Sequence, residues 1–544
     1  MKVLLINWSP ISAGTALGGG VSGYVQQLAL ELIDRGHEVA YLCSGQTYVP
    51  DRQGRIGPPT ARRLNDFAGV QVYEIVNSPV VSPGPCQHDA PGAEISSPEL
   101  EAEVLRLVGL LGADVVHLHN IEGMSAGCLA ALCHRPRGWS VVYSLHNYHT
   151  VCPQAYLLQQ GRAPCRTFDS GRSCLTCLAE RPSRDEKQHR ARLYADRFPV
   201  ATPPPPPPPA APLSQRLKEA LATHPQPPRA APPPPPILPP GTVVTQATVR
   251  AQIAGAPRPT SVPLYVFDPE SPEWAPLEND ATGEPEGSVG AGPFAARRAA
   301  MVAALNACDR VLAVSSFVER KFAALGVRPE VLQKQAIGSR MVEIAGGQPE
   351  VLDRVPRPEA PAALHLVFLG YHNYPKGLHM LLDALELLTP AHLAPIHLRV
   401  HAKDVERAAP RLERLRARLG SLSISGGYAY EAVPALVAGA DLGVVPSVWW
   451  DNGPQTVMEF LACGVPVLGA ALGGIPDLVE HGRNGLLFRG NDRFDLARTL
   501  AVLPGQRARL ERLREGVRTP LSMAAHATEM LSLYASLRAE HRRA

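Results

Sequence analysis

The chain has 544 residues, 45% of them hydrophobic, and a formal net charge of +3. That length allows two or three domains, and that apolar share is ordinary for a globular protein. The nearly balanced charge gives no argument for a nucleic-acid partner, and no apolar run reaches the roughly 18 residues that a transmembrane helix needs.

Strand-like and helix-like runs alternate from the start. Val3–Ile6 reads as a buried strand. The run Met1–Asn7 is too short for a signal peptide, so the expected compartment is the cytoplasm, with the ten cysteines reduced or bound to metal. Gly18-Gly19-Gly20-Val21-Ser22-Gly23 fits G-x-G-x-x-G. A dinucleotide site needs that motif directly after the strand and an acid at the end of the next one; here about ten residues intervene, and the next strand ends at Cys43-Ser44. A Gly-rich loop that lets a phosphate or sugar approach backbone ahead of a helix fits better, with a plain flexible loop as the alternative.

Val25–Asp34 places Val25, Leu28, Ala29, Leu32 and Ile33 on one helical stripe, which Arg35-Gly36-His37 ends. Glu38–Cys43, Val70–Val76, Asp114–His119 and Ser140–His146 are further strands, and the alternation predicts a parallel sheet covered by helices. Two strands end in histidine-bearing tips, HLHN at 117–120 and SLHN at 144–147. Ligands of open parallel sheets sit at the carboxyl ends of strands, so His119 and His146 are site candidates, against the alternative of core histidines bonded to backbone.

After this tip come Cys152, Cys165, Cys174 and Cys177, the last two as C-x-x-C. Reduced thiols, a structural zinc and a redox pair are the three readings, the last without a thioredoxin-like unit around it. Arg181–Arg197 is basic and reads as a solvated helix face, with contact to an anionic membrane surface as the alternative. From Pro199 to Pro293 the chain carries about half of its 56 prolines, including the runs 203–209 and 232–236. That composition cannot bury a core, so the stretch reads as a disordered insertion, with a short helix at Leu213–Thr223 and a ligand for a proline-binding module as the alternative role.

Regular structure resumes with a helix at Phe294–Ala307 and a strand at Arg310–Val314, and Ser315-Ser316 caps a helix through Ala324. Residues 340–362 read as a linker. A second alternating unit begins at Leu364–Leu369 and continues to about residue 500, and Ser522–Ala539 is a final helix. Within this unit Gly370-Tyr371-His372-Asn373-Tyr374-Pro375-Lys376-Gly377 links a strand to the helix Leu378–Leu387, which sets Lys376 where its charge adds to a helix dipole; an ordinary solvated lysine is the alternative. The segment Pro446–Phe488 is the richest in chemistry. Asp451 and Glu459 flank the turn Asn452-Gly453-Pro454 and a helix start, and Gly-rich turns follow at Cys463-Gly464 and Gly473-Gly474. Backbone N–H groups at a helix start suit a diphosphate, and an acid suits the vicinal hydroxyls of a sugar or ribose.

Taken together these segments resemble the retaining glycosyltransferases of family 4, which have the GT-B fold. The acid-x7-acid pair is matched by Asp451 and Glu459, the strand-G-R-x4-K-G element by Gly370, Lys376 and Gly377, and the first Gly-rich loop and R-G-H-x-V by Gly18–Gly20 and Arg35–Val39. The resemblance implies two Rossmann-like doubly wound domains facing a cleft. The first would be residues 1–198 and 294–340, interrupted by the proline-rich insertion 199–293 and holding the acceptor. After a linker at 341–362, residues 363–520 would hold the nucleotide-sugar, and a helix at 521–544 would pack back on the first domain.

By the same resemblance Glu459 would take the ribose hydroxyls and Asp451 those of the transferred sugar. Asn452, Gly453 and Gln455 would line the sugar–phosphate pocket, Lys376 would stabilise the leaving diphosphate, and Gly19 and Gly20 would approach the donor. His119 and His146 would border sugar and acceptor, with His146, Lys376 and Asp451 as the catalytic group. Two positions depart from the family pattern: Tyr371 stands where the family has Arg, and Asp451 where it usually has Glu. The implied activity is sugar transfer with retention from a nucleotide-diphosphate sugar to a glycan, lipid-linked or small-molecule acceptor, with no cofactor required. The alternatives are a non-catalytic nucleotide-sugar-binding scaffold or sensor, a nucleotide-sugar epimerase, and a two-carboxylate glycosidase. A lipid-linked acceptor would bring the protein to the inner face of the membrane.

Overall fold

The computed structural model describes residues 1–134, 138–177, 186–197, 292–353 and 362–543. Nearly all of the proline-rich stretch, the helix expected at Leu213–Thr223 and the residues 181–185 lie outside them.

Two parallel sheets carry the fold. The first has eight strands: β1 (Lys2–Ile6), β2 (Glu38–Ser44), β3 (Thr60–Arg63), β4 (Gln71–Val76), β5 (Val115–Leu118), β6 (Ser140–Leu145), β9 (Arg310–Ala313) and β10 (Leu332–Lys334). A small hairpin, β7 (Leu158–Gln159) and β8 (Ala163–Pro164), lies outside the sheet between β6 and β9. The strand order is β10-β9-β6-β5-β1-β2-β4-β3, and only the edge strand β3 runs antiparallel. The central strands are apolar on both faces because helices cover both: Val3, Leu4, Leu5, Val115, Val116, Val141 and Val142 have no exposed surface.

The second sheet has β11 (Leu364–Tyr371), β12 (Ile396–Lys403), β13 (Ser421–Ser425), β14 (Leu442–Val445), β15 (Val467–Ala470) and β16 (Gly485–Phe488), all parallel, in the order β13-β12-β11-β14-β15-β16. This is a doubly wound order whose direction reverses between β11 and β14; in the first sheet the reversal falls between β1 and β5. A crevice opens at such a switch point, and the segments leaving these four strands are the Gly-rich segment, HLHN, the Lys376 turn and the Asp451 turn.

Several boundaries differ from expectation. The first helix spans Thr15–Asp34, ten residues more than the apolar stripe indicated, because the glycines at 18–20 join it through one break. Part of the expected linker is helical, at Met341–Gly346 and Pro349–Asp353; Met341 and Ala345, one turn apart, are buried and hold the segment down. The basic stretch forms a helix at Glu186–Arg197. It turns polar groups inward: Arg190 donates to the Gly45 and Ser82 carbonyls, Lys187 to that of Pro79, and Arg62 to the Tyr194 hydroxyl.

The last helix, Met523–Arg543, packs on the helix Thr15–Asp34 and on β6. Among the described residues no helix is long and apolar enough to cross a membrane.

Candidate active site

The glycine segment is not an open loop. It is helical except at Gly19, whose φ of 62° and ψ of −151° only glycine adopts without strain. Asn7 at the tip of β1 donates to the Ser22 hydroxyl at 3.0 Å, and Ser22 bonds Ser9 at 2.5 Å, which clamps the turn onto the sheet. A Cβ at Gly19 would meet nothing within 4 Å, so this backbone faces open space. One at Gly20 would lie 3.2 Å from Gln455 Cγ, so Gly20 is where the helix Gln455–Ala462 comes closest to the turn.

The histidine tips form a buried ladder. His119 Nδ1 and His146 Nε2 lie 3.2 Å apart, and His117 bonds Ser144 Oγ at 2.8 Å and the Tyr534 hydroxyl at 2.6 Å. Tyr24 packs on the His146 ring at 4.7 Å and bonds His526 at 2.7 Å. Burial, then the neighbouring imidazoles, lower His146 to about 3 and hold His117 and His119 well below the usual range, and burial lowers His526 to about 4 against a hydrogen bond with the Ala336 backbone. His119 Nε2 is buried with no hydrogen-bond partner among the described residues. Tyr24, His526 and Tyr534 carry no motif, and the last two come from the far end of the chain.

Lys376 ends a single turn, Tyr374–Lys376, capped by the Asn373 side chain, which accepts from Lys376 N at 3.2 Å. Gly377 follows at φ 74°, and a Cβ there would collide with the Pro446 carbonyl; this close approach brings the β11 and β14 loops together. Lys376 Nζ then reaches Asp451 Oδ2 at 3.2 Å. Burial disfavours the lysine charge, but Asp451, with Tyr156 and Glu459, more than offsets this, and the ammonium is held above its ordinary pKa.

Glu459 lies on the buried face of the helix Gln455–Ala462. Its carboxylate accepts no hydrogen bond among the described residues, and burial pushes it up to about 7 against the pull of Lys376. A neighbouring tyrosine, Tyr428, has its hydroxyl raised by burial and by the charges of Glu459 and Tyr371. Tyr371 donates from its hydroxyl to the Thr15 carbonyl at 3.2 Å.

Asn452 and Gly453 sit deeper than expected of pocket-lining groups. Asn452 is 1% exposed and donates to the Leu145 carbonyl at 3.2 Å, while a Cβ on Gly453 would press on Ile337. Together with Tyr148 donating to the Trp450 carbonyl at 2.9 Å and Ser316 N to Asp477 at 2.7 Å, they fasten the loops of the second sheet against β6 and β9. Lys376 thus pairs with Asp451 and feels the charge of Glu459, Gln455 on the Glu459 helix meets Gly20, and Asn452 ties this loop to Leu145, the residue before His146.

Cys152, Cys165, Cys174 and Cys177 line one small cavity with Gln154 and Arg298. Gln154 donates to Cys177 Sγ at 2.7 Å, and burial pushes Cys165 up to about 11 and Cys174 up to about 12. The zinc reading is corrected to this extent: among the described residues no three metal-binding side chains stand close enough to hold an ion.

A family model described as "Glycosyl transferase 4-like domain" matches residues 19–175, and one described as "Glycosyl transferases group 1" matches 363–503. Sucrose-phosphate synthase from Thermosynechococcus elongatus superposes with a TM-score of 0.54 over 99% of this chain and 100% of its own, at 14% identity. The fold is GT-B. Among curated proteins, one named as a colanic acid biosynthesis glycosyltransferase, WcaL, from Salmonella typhimurium is 26% identical over 198 residues, 36% of this chain and 47% of that protein. The D-inositol 3-phosphate glycosyltransferase of Salinispora tropica is 36% identical over 113 residues, 20% of this chain and 23% of that protein. The matches thus span about half of these relatives' length or less.

Proposed function

We propose that this GT-B chain is a retaining glycosyltransferase that moves a sugar from a nucleotide-diphosphate sugar to a glycan, lipid-linked or small-molecule acceptor. One observation carries the reading: Asp451, Glu459 and Lys376 meet at the switch point of the second sheet, facing the glycine turn of the first. The names of the curated relatives, all glycosyltransferases, support the reaction class.

Each residue then has a task. Glu459, whose carboxylate accepts no hydrogen bond among the described residues, accepts from the ribose hydroxyls. Asp451 accepts from the transferred sugar, and Lys376, whose charge its neighbours maintain, turns to the diphosphate as negative charge develops on it. The neutral His146 donates or accepts a hydrogen bond at the sugar without adding charge. A leaving phosphate oxygen takes the acceptor proton, so retention needs no protein nucleophile. The crevice keeps out water that would hydrolyse the donor.

A second reading, a nucleotide-sugar-binding scaffold, is favoured by one feature: Tyr371 is bonded across the crevice to Thr15 and supplies no cation. Phosphorus NMR separates the two. Sugar nucleotides of four bases are incubated with the protein and a pool of glycans and polyprenyl-linked saccharides. Release of nucleoside diphosphate that depends on both acceptor and Asp451 supports transfer; donor binding without release supports the scaffold.

A further inference from the structure

The charge count around the crevice is one cation short. Lys376 is tied to Asp451 at 3.2 Å, and Glu459 adds a second carboxyl, so these three side chains together offer a diphosphate no net positive charge. A nucleoside diphosphate carries two or more negative charges, and phosphate recognition rests on charge-assisted bonds from cations and N–H groups. Tyr371 cannot supply the charge.

The neighbouring strand tip does carry a cation. Lys403 is the last residue of β12 and stands in register with Tyr371, the last residue of β11. Its carbonyl accepts from His372 N at 2.8 Å, which fixes its backbone beside the β11 loop. The Lys403 ammonium lies 5.9 Å from the Tyr371 ring centre, on an exposed side chain. Among the described residues no carboxylate lies within ion-pair distance of it, whereas Lys334 is paired with Asp477 and Arg340 with Glu431. The next residue, Asp404, takes φ 61° and turns the chain away, and Gly427 beyond the end of β13 adds no side chain beside Lys403, where a Cβ would lie 3.9 Å from Lys403 Cβ; one on Gly426 would lie 3.9 Å from Glu406 Oε1.

We propose that Lys403 is the second cation of the diphosphate site, swinging from the Tyr371 ring onto the phosphate next to the transferred sugar when a donor enters. The inference rests on the donor-site reading above. Tyr371 then has two parts: its hydroxyl ties the β11 loop to Thr15, and its ring parks the lysine in the free protein through a cation–π contact.

The test titrates the full chain by calorimetry with uridine, guanosine, adenosine and thymidine 5′-diphosphates, then with the 5′-monophosphate of the base that binds best. Lys403→Ala is expected to weaken the diphosphate by about tenfold, in line with the loss of one charge-assisted bond, and the monophosphate by less than about twofold. Lys403→Arg is expected to restore diphosphate affinity. Unchanged diphosphate affinity in Lys403→Ala, where Lys376→Ala lowers it, overturns the role of Lys403 and leaves the site standing. Equal losses for both nucleotides also overturn it. Failure of the unaltered chain to bind any of the four overturns the donor-site reading and this inference with it.

Discussion

Replacing Glu459 by Gln separates what the crevice does from what holds the protein together. Burial raises the Glu459 carboxyl from 4.5 to about 7. A raised folded-state pKa means that the native chain holds more protons than the unfolded one between these values, so wild-type stability falls as pH rises from 4.5 to about 7. Above that the deficit is complete. At about 1.36 kcal/mol per pKa unit it amounts to roughly 3 kcal/mol at pH 8. Glutamine has nearly the same shape and no charge. Glu459→Gln is therefore expected to be more stable than wild type at pH 8 by up to about 3 kcal/mol, equal to it near pH 4.5, and weaker for the nucleotide-sugar by about tenfold or more. Urea unfolding at both pH values, with donor titrations alongside, reads all three. A variant less stable than wild type at pH 8 would refute the reasoning, because it would mean that the charged carboxylate is already satisfied in the free protein.

Three further outcomes follow from the same geometry. Donor affinity should climb between pH 6 and pH 8 and level off above about pH 8, since ribose hydroxyls donate best to the ionised Glu459; a flat profile by calorimetry contradicts this. Arg297→Met should destabilise the first domain by about 3–5 kcal/mol, because the fully buried Glu94 would lose its bidentate partner at 2.7 Å, and denaturant unfolding measures it. Tyr534→Phe should cost about 1–3 kcal/mol by leaving His117 Nδ1 unpaired, and should speed amide exchange along Met523–Arg543, whereas Leu531→Met on the same helix should do neither.

Local pattern made much of this fold legible. Apolar runs such as Val3–Ile6 and Leu364–Leu369 are strands because both sheet faces are covered, and Ser315 caps its helix as its hydroxyl allows, accepting from Val318 N. The Lys376-Gly377 turn stands out in sequence because it is a short motif on one turn, whereas Asp451 lies in a loop and Glu459 on the helix that follows it.

What was not readable depends on distance in sequence. Nothing around Ser522–Ala539 announces that His526 and Tyr534 will meet Tyr24 and His117, hundreds of residues earlier. Gly18–Gly20 reads as a loop because glycine lowers helix propensity, yet tertiary packing against Ser9 and Ser22 carries the helix through all but Gly19. Met341–Asp353 reads as a linker because Gly346-Gly347 and Pro349 interrupt it, and burial of Met341 and Ala345 seats its first turn. The depth of Asn452 and Gly453 follows from the loops of the second sheet meeting β6, which no local pattern encodes.

The central claim is that the crevice takes a nucleotide-sugar. Thermal unfolding of the full chain against UDP-, GDP-, ADP- and dTDP-sugars tests it most directly. A ligand at about 100 times its dissociation constant adds about 2.7 kcal/mol of stability. The account predicts a rise in Tm with sugars of one base, abolished in Glu459→Ala. No rise with any of the four in folded protein, or a rise that survives in Glu459→Ala, would contradict it.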